Sequence, residues 1–245
     1  MDDMKGAMRE GSGAGPRSVV DQVAAHVLNM ILANELKPGQ PVAIQELSAI
    51  LDVSNVPVRE ALRRLEGRGL VQFRRGRRPQ IAPINVDDFD DVYRLRALLE
   101  GQIAERSAEL MTPDRLALLE ETLDELERLI TRGNAFDVYS VHSRFHLLML
   151  PSATEWDRRL LDQLWVASER YIQLYVGARP DEEVADKIVA AHRLLVDAAR
   201  GGDASTVRDA VVDHVVYSHK MIAPLVQAAS GRAQPTRGAT TEPID

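Results

Sequence analysis

Within residues 17–36 the apolar positions Val20, Val23, Val27, Met30 and Ile31 recur at three- and four-residue intervals. That spacing predicts a helix with one face on a core, stopped by Pro38-Gly39. Ile44, Leu47 and Leu51 predict a short second helix. A third follows, with Ser54 or Asn55 as its cap and Pro57 tolerated in its first turn. In it Val58, Ala61, Leu62 and Leu65 face inward, Arg59 and Arg63 face outward one turn apart, and Gly67 and Gly69 end the helix. Residues 70–73 and 80–84 then bracket a Gly-containing tip at 74–78, the pattern of a β-hairpin.

From residue 86 the period is helical throughout. A first helix over 86–110 places Val92, Leu95, Leu99 and Ile103 on one face. Others are expected over 112–131, capped by Thr112 with Pro113 in first position, and over 136–150, 154–176, 181–200 and 203–227. Six helices with short links make a bundle. The expected fold is mainly α: a winged helix-turn-helix over 17–84 with a small hairpin wing, then an all-α six-helix bundle over 86–229. Residues 1–16 and 230–245, rich in Gly, Ser, Thr, Pro and Ala without periodicity, read as disordered tails.

Composition narrows the chemistry. There is no cysteine, which removes disulfides, iron-sulfur clusters and thiol nucleophiles and leaves imidazole and carboxylate groups. Aromatic residues make up only 4%, in keeping with a helical cytoplasmic protein. No apolar run is long enough for a membrane span and the start of the chain does not read as an export signal, so no membrane partner is expected.

The net charge of −7 argues against a nucleic-acid partner only if charge is spread evenly. Between Arg59 and Arg78 lie eight arginines and two glutamates, a local +6 that leaves −13 for the rest. Such a block is either a solvated face or a phosphate-binding surface. Its confinement to the third helix and the hairpin tip favours the second. In a winged helix-turn-helix those two elements enter the major groove and an adjacent groove.

The stretch from Glu35 to Val71, with its Pro-Gly turn and the phrase PVREAL, resembles the DNA-binding domain of the GntR family of bacterial transcription regulators. The phrases RLRALLEGQIAERSAEL and AHRLLVDAARGGDA resemble the FadR-type, FCD-like ligand-binding domain of that family. The resemblance implies DNA contacts at Ser54, Asn55 and Arg59, and at Arg75, Gly76 and Arg77 on the wing tip; Gln45, at a family pattern position, and the outward Arg63 complete the expected contact set. Gln45 and Asn55 stand where the family commonly has Arg, so this operator is expected to differ from the usual one.

His142 and His146 lie four apart on one predicted helix, which sets their imidazoles about 5.4 Å apart along one face. Val138 and Met149 share that stripe, so the pair points inward. His192 lies among Ile188, Leu195 and Ala199, and His214 among Val207, Ala210, Val211 and Met221. These four are either buried core residues or ligands converging on a metal, since imidazole suits zinc, nickel, copper and iron. The resemblance favours ligation, because many FadR-type domains bind a metal through one Asp and three His; here His142 stands in the Asp position. His26 and His219 fall off the stripes and read as packing or surface residues.

A metal with an open position attracts a carboxylate, which points to a small organic acid as effector. Arg96, one turn before Glu100, matches a recurrent family Arg and is either a second anchor for that acid or half of a helix-surface pair. The resulting expectation is a homodimeric repressor reading palindromic half-sites in double-stranded DNA. The alternatives are a metal-responsive regulator without organic effector, an architectural DNA-binding protein, and a metalloenzyme. HExxH, a phosphate loop and GxSxG are all missing, which weighs against the last.

Overall fold

The computed structural model describes residues 18–176 and 181–232. Helix α1 (Val19–Leu32) opens on a reciprocal cap: the Ser18 hydroxyl accepts from the Asp21 N–H at 3.2 Å, and the Asp21 carboxylate accepts from the Ser18 N–H at 3.2 Å. The helix ends before Pro38-Gly39. Asn34 turns left-handed (φ 57°), and the N–H groups of Glu35 and Leu36 both fold back onto the Met30 carbonyl at 2.9 and 3.1 Å.

Helices α2 (Ile44–Ile50) and α3 (Asn55–Gly67) complete the trihelical core, in which Val27, Leu32, Val58, Ala61 and Leu62 are fully enclosed. The wing is shorter than 70–73 and 80–84. Strands β1 (Val71–Gln72) and β2 (Gln80–Ile81) pair antiparallel over two residues each. The outer edge of β2 is covered instead by 39–42, through Gly39 N–H to Ile81 O at 3.0 Å and Ile81 N–H to Gln40 O at 2.9 Å. Both edges of β2 are thus satisfied without a longer hairpin.

The bundle consists of α4 (Val86–Ser107), a 3-10 turn at Ala108–Leu110, α5 (Pro113–Arg132), α6 (Ala135–Leu148), α7 (Glu155–Val176), α8 (Glu182–Gly201) and α9 (Ala204–Arg232). Thr112 caps α5 with Pro113 in its first turn, while Asn134 and Asp181 cap α6 and α8. Helix α9 continues to Arg232, past the tail expected from 230; residues 1–16 and 233–245 lie outside those described.

On α4, Leu95 is 43% exposed and does not share the buried face of Val92 and Ile103. The inward stripe runs instead through Phe89, Tyr93, Arg96, Glu100 and Ala104, so it includes two charged residues that pair with each other. Where α4 crosses α9, Gly101 brings the helices together: a Cβ there would lie 2.6 Å from Val212 Cγ2.

The two halves are locked together. Tyr139 of α6 and Val166 of α7 pack into the helix-turn-helix core, and Arg68 at the end of α3 bonds Asp162 at 2.8 Å. Arg170 of α7 donates to the Gly69 carbonyl at 2.8 Å and pairs with Asp88, which also accepts from the Tyr171 hydroxyl at 2.7 Å.

Candidate DNA interface and histidine site

The α2-turn-α3 unit leaves Gln45, Ser54, Asn55, Arg59 and Arg63 exposed, and the hairpin tip exposes Arg75, Gly76 and Arg77. Ser54 occupies the backbone position of the α3 cap, but neither its side chain nor any other makes the capping hydrogen bond. Its hydroxyl therefore remains open to solvent. At the tip, Gly76 takes a left-handed conformation (φ 71°) and the Arg77 N–H bonds the Arg74 carbonyl at 3.0 Å, which closes a tight turn with the arginines outside.

The basic block divides by task. Arg64 pairs with Asp21 of α1, and Arg68 with Asp162 of α7, so both hold helices in place. Arg63 bonds Glu66 at 2.7 Å and lies 3.8 Å over the Phe73 ring, which orients it towards the wing. Arg59, Arg75, Arg77 and Arg78 stay exposed.

Four imidazoles from three helices meet inside the bundle. One ring nitrogen each of His142, His146, His192 and His214 lies within 4.8 Å of the others. His142 and His146 approach at 3.1 Å between their Nε2 atoms. A tetrahedral ion with bonds of about 2.0–2.1 Å needs nitrogens roughly 3.4 Å apart, so the set is close to closing around one. His26 is exposed, and His219 stacks on Phe89 (4.6 Å between centroids) and bonds Asp90, both outside the cluster.

The backbone fixes the orientation of His192. His192 Nδ1 lies 2.7 Å from the Ile188 carbonyl, so it carries the proton and turns Nε2 towards the cluster as a lone pair. His192 Nε2 and His214 Nδ1 are buried without a hydrogen-bond partner. Unsatisfied buried polar atoms are rare, and two in one cluster of aromatic nitrogens fit a set of ligand atoms better than a finished core. Burial, with the neighbouring imidazoles and Arg96, holds His142, His146 and His214 well below the usual imidazole range, while burial, aided by Arg96 and opposed by the Ile188 carbonyl, takes His192 down to about 4. All four are neutral at pH 7, the state that ligation requires.

Behind the histidines, Arg96 and Glu100 form a buried pair at 2.7 Å, not a pair on the helix surface. Ser168 accepts from Arg96 at 3.2 Å, and Trp165 donates its indole N–H to Glu100 at 2.9 Å. In front of them, a cavity is lined by His142, His192 and His214, by Glu169 and Gln173, and otherwise mainly by apolar side chains. Burial pushes the Glu169 carboxyl up to about 7.

Residues 19–81 match the profile described as bacterial regulatory proteins, gntR family, and residues 91–217 match the FCD domain. The chain belongs to the GntR family of bacterial transcription regulators. Among its relatives, the transcriptional repressor RspR of Escherichia coli K12 is 26% identical over 82% of this chain and 87% of its own length. The regulator YdhC of Bacillus subtilis is 30% identical, over 49% of this chain and 54% of YdhC. The solved structure of E. coli McbR/YncC superposes with a TM-score of 0.71 at 25% identity, covering 87% of this chain and 99% of that one. This GntR protein is accordingly a DNA-binding regulator with an FCD effector domain, and not an enzyme.

In this GntR chain several site residues lay outside the reach of sequence reasoning. Glu169 and Gln173 sit one turn apart on α7 and resemble any exposed helical pair until α7 is packed against α8 and α9. Tyr139, which no periodic pattern in the sequence singles out, lines the cavity and also packs on the DNA-binding half. Its place three residues before His142 was the one available signal.

Proposed function

We propose that the protein is a homodimeric repressor, acting in the cytoplasm on an operator of palindromic half-sites and released by a small organic acid bound at a histidine-held divalent metal. The buried cluster of neutral, partly unsatisfied imidazoles carries this reading, because such a set inside the effector domain fits a nitrogen-preferring ion such as zinc or nickel. His142, His146, His192 and His214 would hold it, and the ion would supply positive charge for a carboxylate. No carboxylate belongs to the ligand set, so that charge would not be reduced by the protein. Arg96 adds its charge from behind, with its guanidinium committed to Glu100 and Ser168.

Gln45, Ser54, Asn55 and Arg59 would read bases and phosphates in the major groove, Arg63 would orient beside them, and Arg75, Gly76 and Arg77 would place the wing on an adjacent groove. Repression is supported by the name of RspR. A two-fold partner is supported by exposed apolar residues on two packed helices, Leu95 and Leu98 of α4 and Trp156 and Leu160 of α7.

Elemental analysis of protein purified without chelator or metal-affinity tag tests the metal, with His146→Ala and His192→Ala beside it. Stoichiometric metal in the wild type and loss in both variants is expected. A wild type that takes up no metal under any loading condition overturns the site, as does full occupancy in both variants. Mobility shifts with metal-loaded protein and a panel of organic acids then test release from DNA.

A further inference from the structure

The cavity beside the histidines has a mixed lining. Its polar lining comprises His142, His192 and His214 with Glu169 and Gln173, besides Lys187, Ser218 and three tyrosines. Much of the remaining wall is Leu126, Ile130, Val138, Ile172, Ile188 and Met221. A ligand filling this space places most of its surface against hydrocarbon.

Charge is scarce on the same wall. Among the described lining residues the only cationic side chain is Lys187, and its ammonium is 2.6 Å from a Glu183 carboxylate oxygen. Arg96 is not part of this wall and is bound to Glu100 and Ser168. Glu169 adds a buried carboxyl that one Gln173 amide engages at 2.8 Å. One carboxylate on a ligand can be met at the histidines. A second or third would be taken out of water to face apolar side chains and Glu169 with no unpaired cation, and a buried unpaired charge is strongly disfavoured.

We infer that this cavity takes a monocarboxylic acid with an apolar body, aliphatic or aromatic, in preference to a compact or polyanionic acid. The inference rests on the organic-acid reading above and narrows it by the shape of the wall: the acid group lies at the histidines and the body among Val138, Ile172, Ile188 and Met221. Apolar burial then supplies selectivity as well as affinity.

Calorimetry on the full chain loaded with zinc tests this, using acetate, 3-phenylpropionate, succinate and citrate as probes. 3-Phenylpropionate is expected to bind at least about ten-fold more tightly than acetate, with a negative heat-capacity change, and succinate and citrate more weakly than 3-phenylpropionate. Met221→Gln, which keeps the length of the side chain and makes it polar, should reduce the advantage of 3-phenylpropionate over acetate several-fold. Val138→Thr, nearly isosteric and one turn before His142, repeats the test on α6. Succinate or citrate binding as tightly as 3-phenylpropionate overturns the inference and leaves the organic-acid reading standing. Equal binding of acetate and 3-phenylpropionate does the same. A zinc-loaded protein that binds none of the four acids overturns both.

Discussion

Glu169 and Arg170 are adjacent on α7 and serve different halves of the molecule: the carboxyl of the first lines the cavity beside the histidines, and the guanidinium of the second donates to the Gly69 carbonyl at 2.8 Å, between α3 and the wing. Arg170 also pairs with Asp88 near the start of α4 and bonds the Tyr171 hydroxyl at 2.8 Å. A shift of α7 by a fraction of an ångström at one residue is thus felt at the other, since packed helices move as rigid elements. Arg170→Ala is expected to keep metal occupancy and to reduce the effect of a bound acid on operator affinity about five-fold or more, a modest coupling free energy. Mobility shifts with and without acid read this directly; an unchanged response would show that α7 does not carry the signal.

Arg59 stands exposed on α3, so Arg59→Ala should change stability by no more than about 0.5 kcal/mol while weakening operator binding strongly. A phosphate contact lowers the salt dependence, and a guanine contact relaxes one base position at about 1–3 kcal/mol. Alanine at both Arg75 and Arg77 should weaken binding evenly across sequences. Retained affinity in a folded Arg59→Ala protein would remove α3 from the groove.

Asn55 heads α3 with its side chain exposed. Asn suits the donor and acceptor edge of adenine, and Arg suits the two acceptors of guanine. Selection from a random DNA pool should therefore return different preferred sites for the wild type and Asn55→Arg. Identical sites would place the amide on phosphate only.

The histidine cluster makes the metal-free protein acid-sensitive. His192 falls from 6.5 to about 4 on folding, chiefly by burial. The unfolded chain thus binds the proton more readily between those values, so stability is full above about pH 6.5 and declines as pH falls towards 4. His192 alone accounts for on the order of 3 kcal/mol of that loss. Thermal melts of chelator-treated protein from pH 7.5 to 5 should fall steadily, and His192→Gln should flatten the curve. A melting temperature independent of pH over that range would mean the imidazoles are not sealed from water.

Arg96 and Glu100 test a buried pair. Arg96→Met leaves Glu100, 1% exposed, without its cation, an expected cost of about 3–5 kcal/mol. Adding Glu100→Gln removes the stranded charge and preserves an acceptor for the Trp165 indole, so the double variant should recover at least about 1 kcal/mol. Denaturant unfolding of the three proteins measures the difference. A loss of less than about 1 kcal/mol for Arg96→Met would show that water reaches the pair.

Much of this protein was determined along the chain. The apolar periods, the Thr112-Pro113 cap and the Arg-rich third helix and hairpin tip specify local geometry, and local geometry depends on residues a turn or two apart. Hence the element order, the outward arginines and the inward faces of His142, His146, His192 and His214 were all legible. Contacts between distant segments were decided only by tertiary structure. Periodicity could not say that Arg96 and Glu100 displace Leu95 from the buried face of α4, since charged residues go inside only when a partner such as Ser168 or Trp165, some seventy residues away, satisfies them. Nor could it divide the arginines into Arg64 and Arg68, which hold helices, and Arg59 and Arg75, which face solvent, because that depends on where Asp21 and Asp162 arrive in the packed fold.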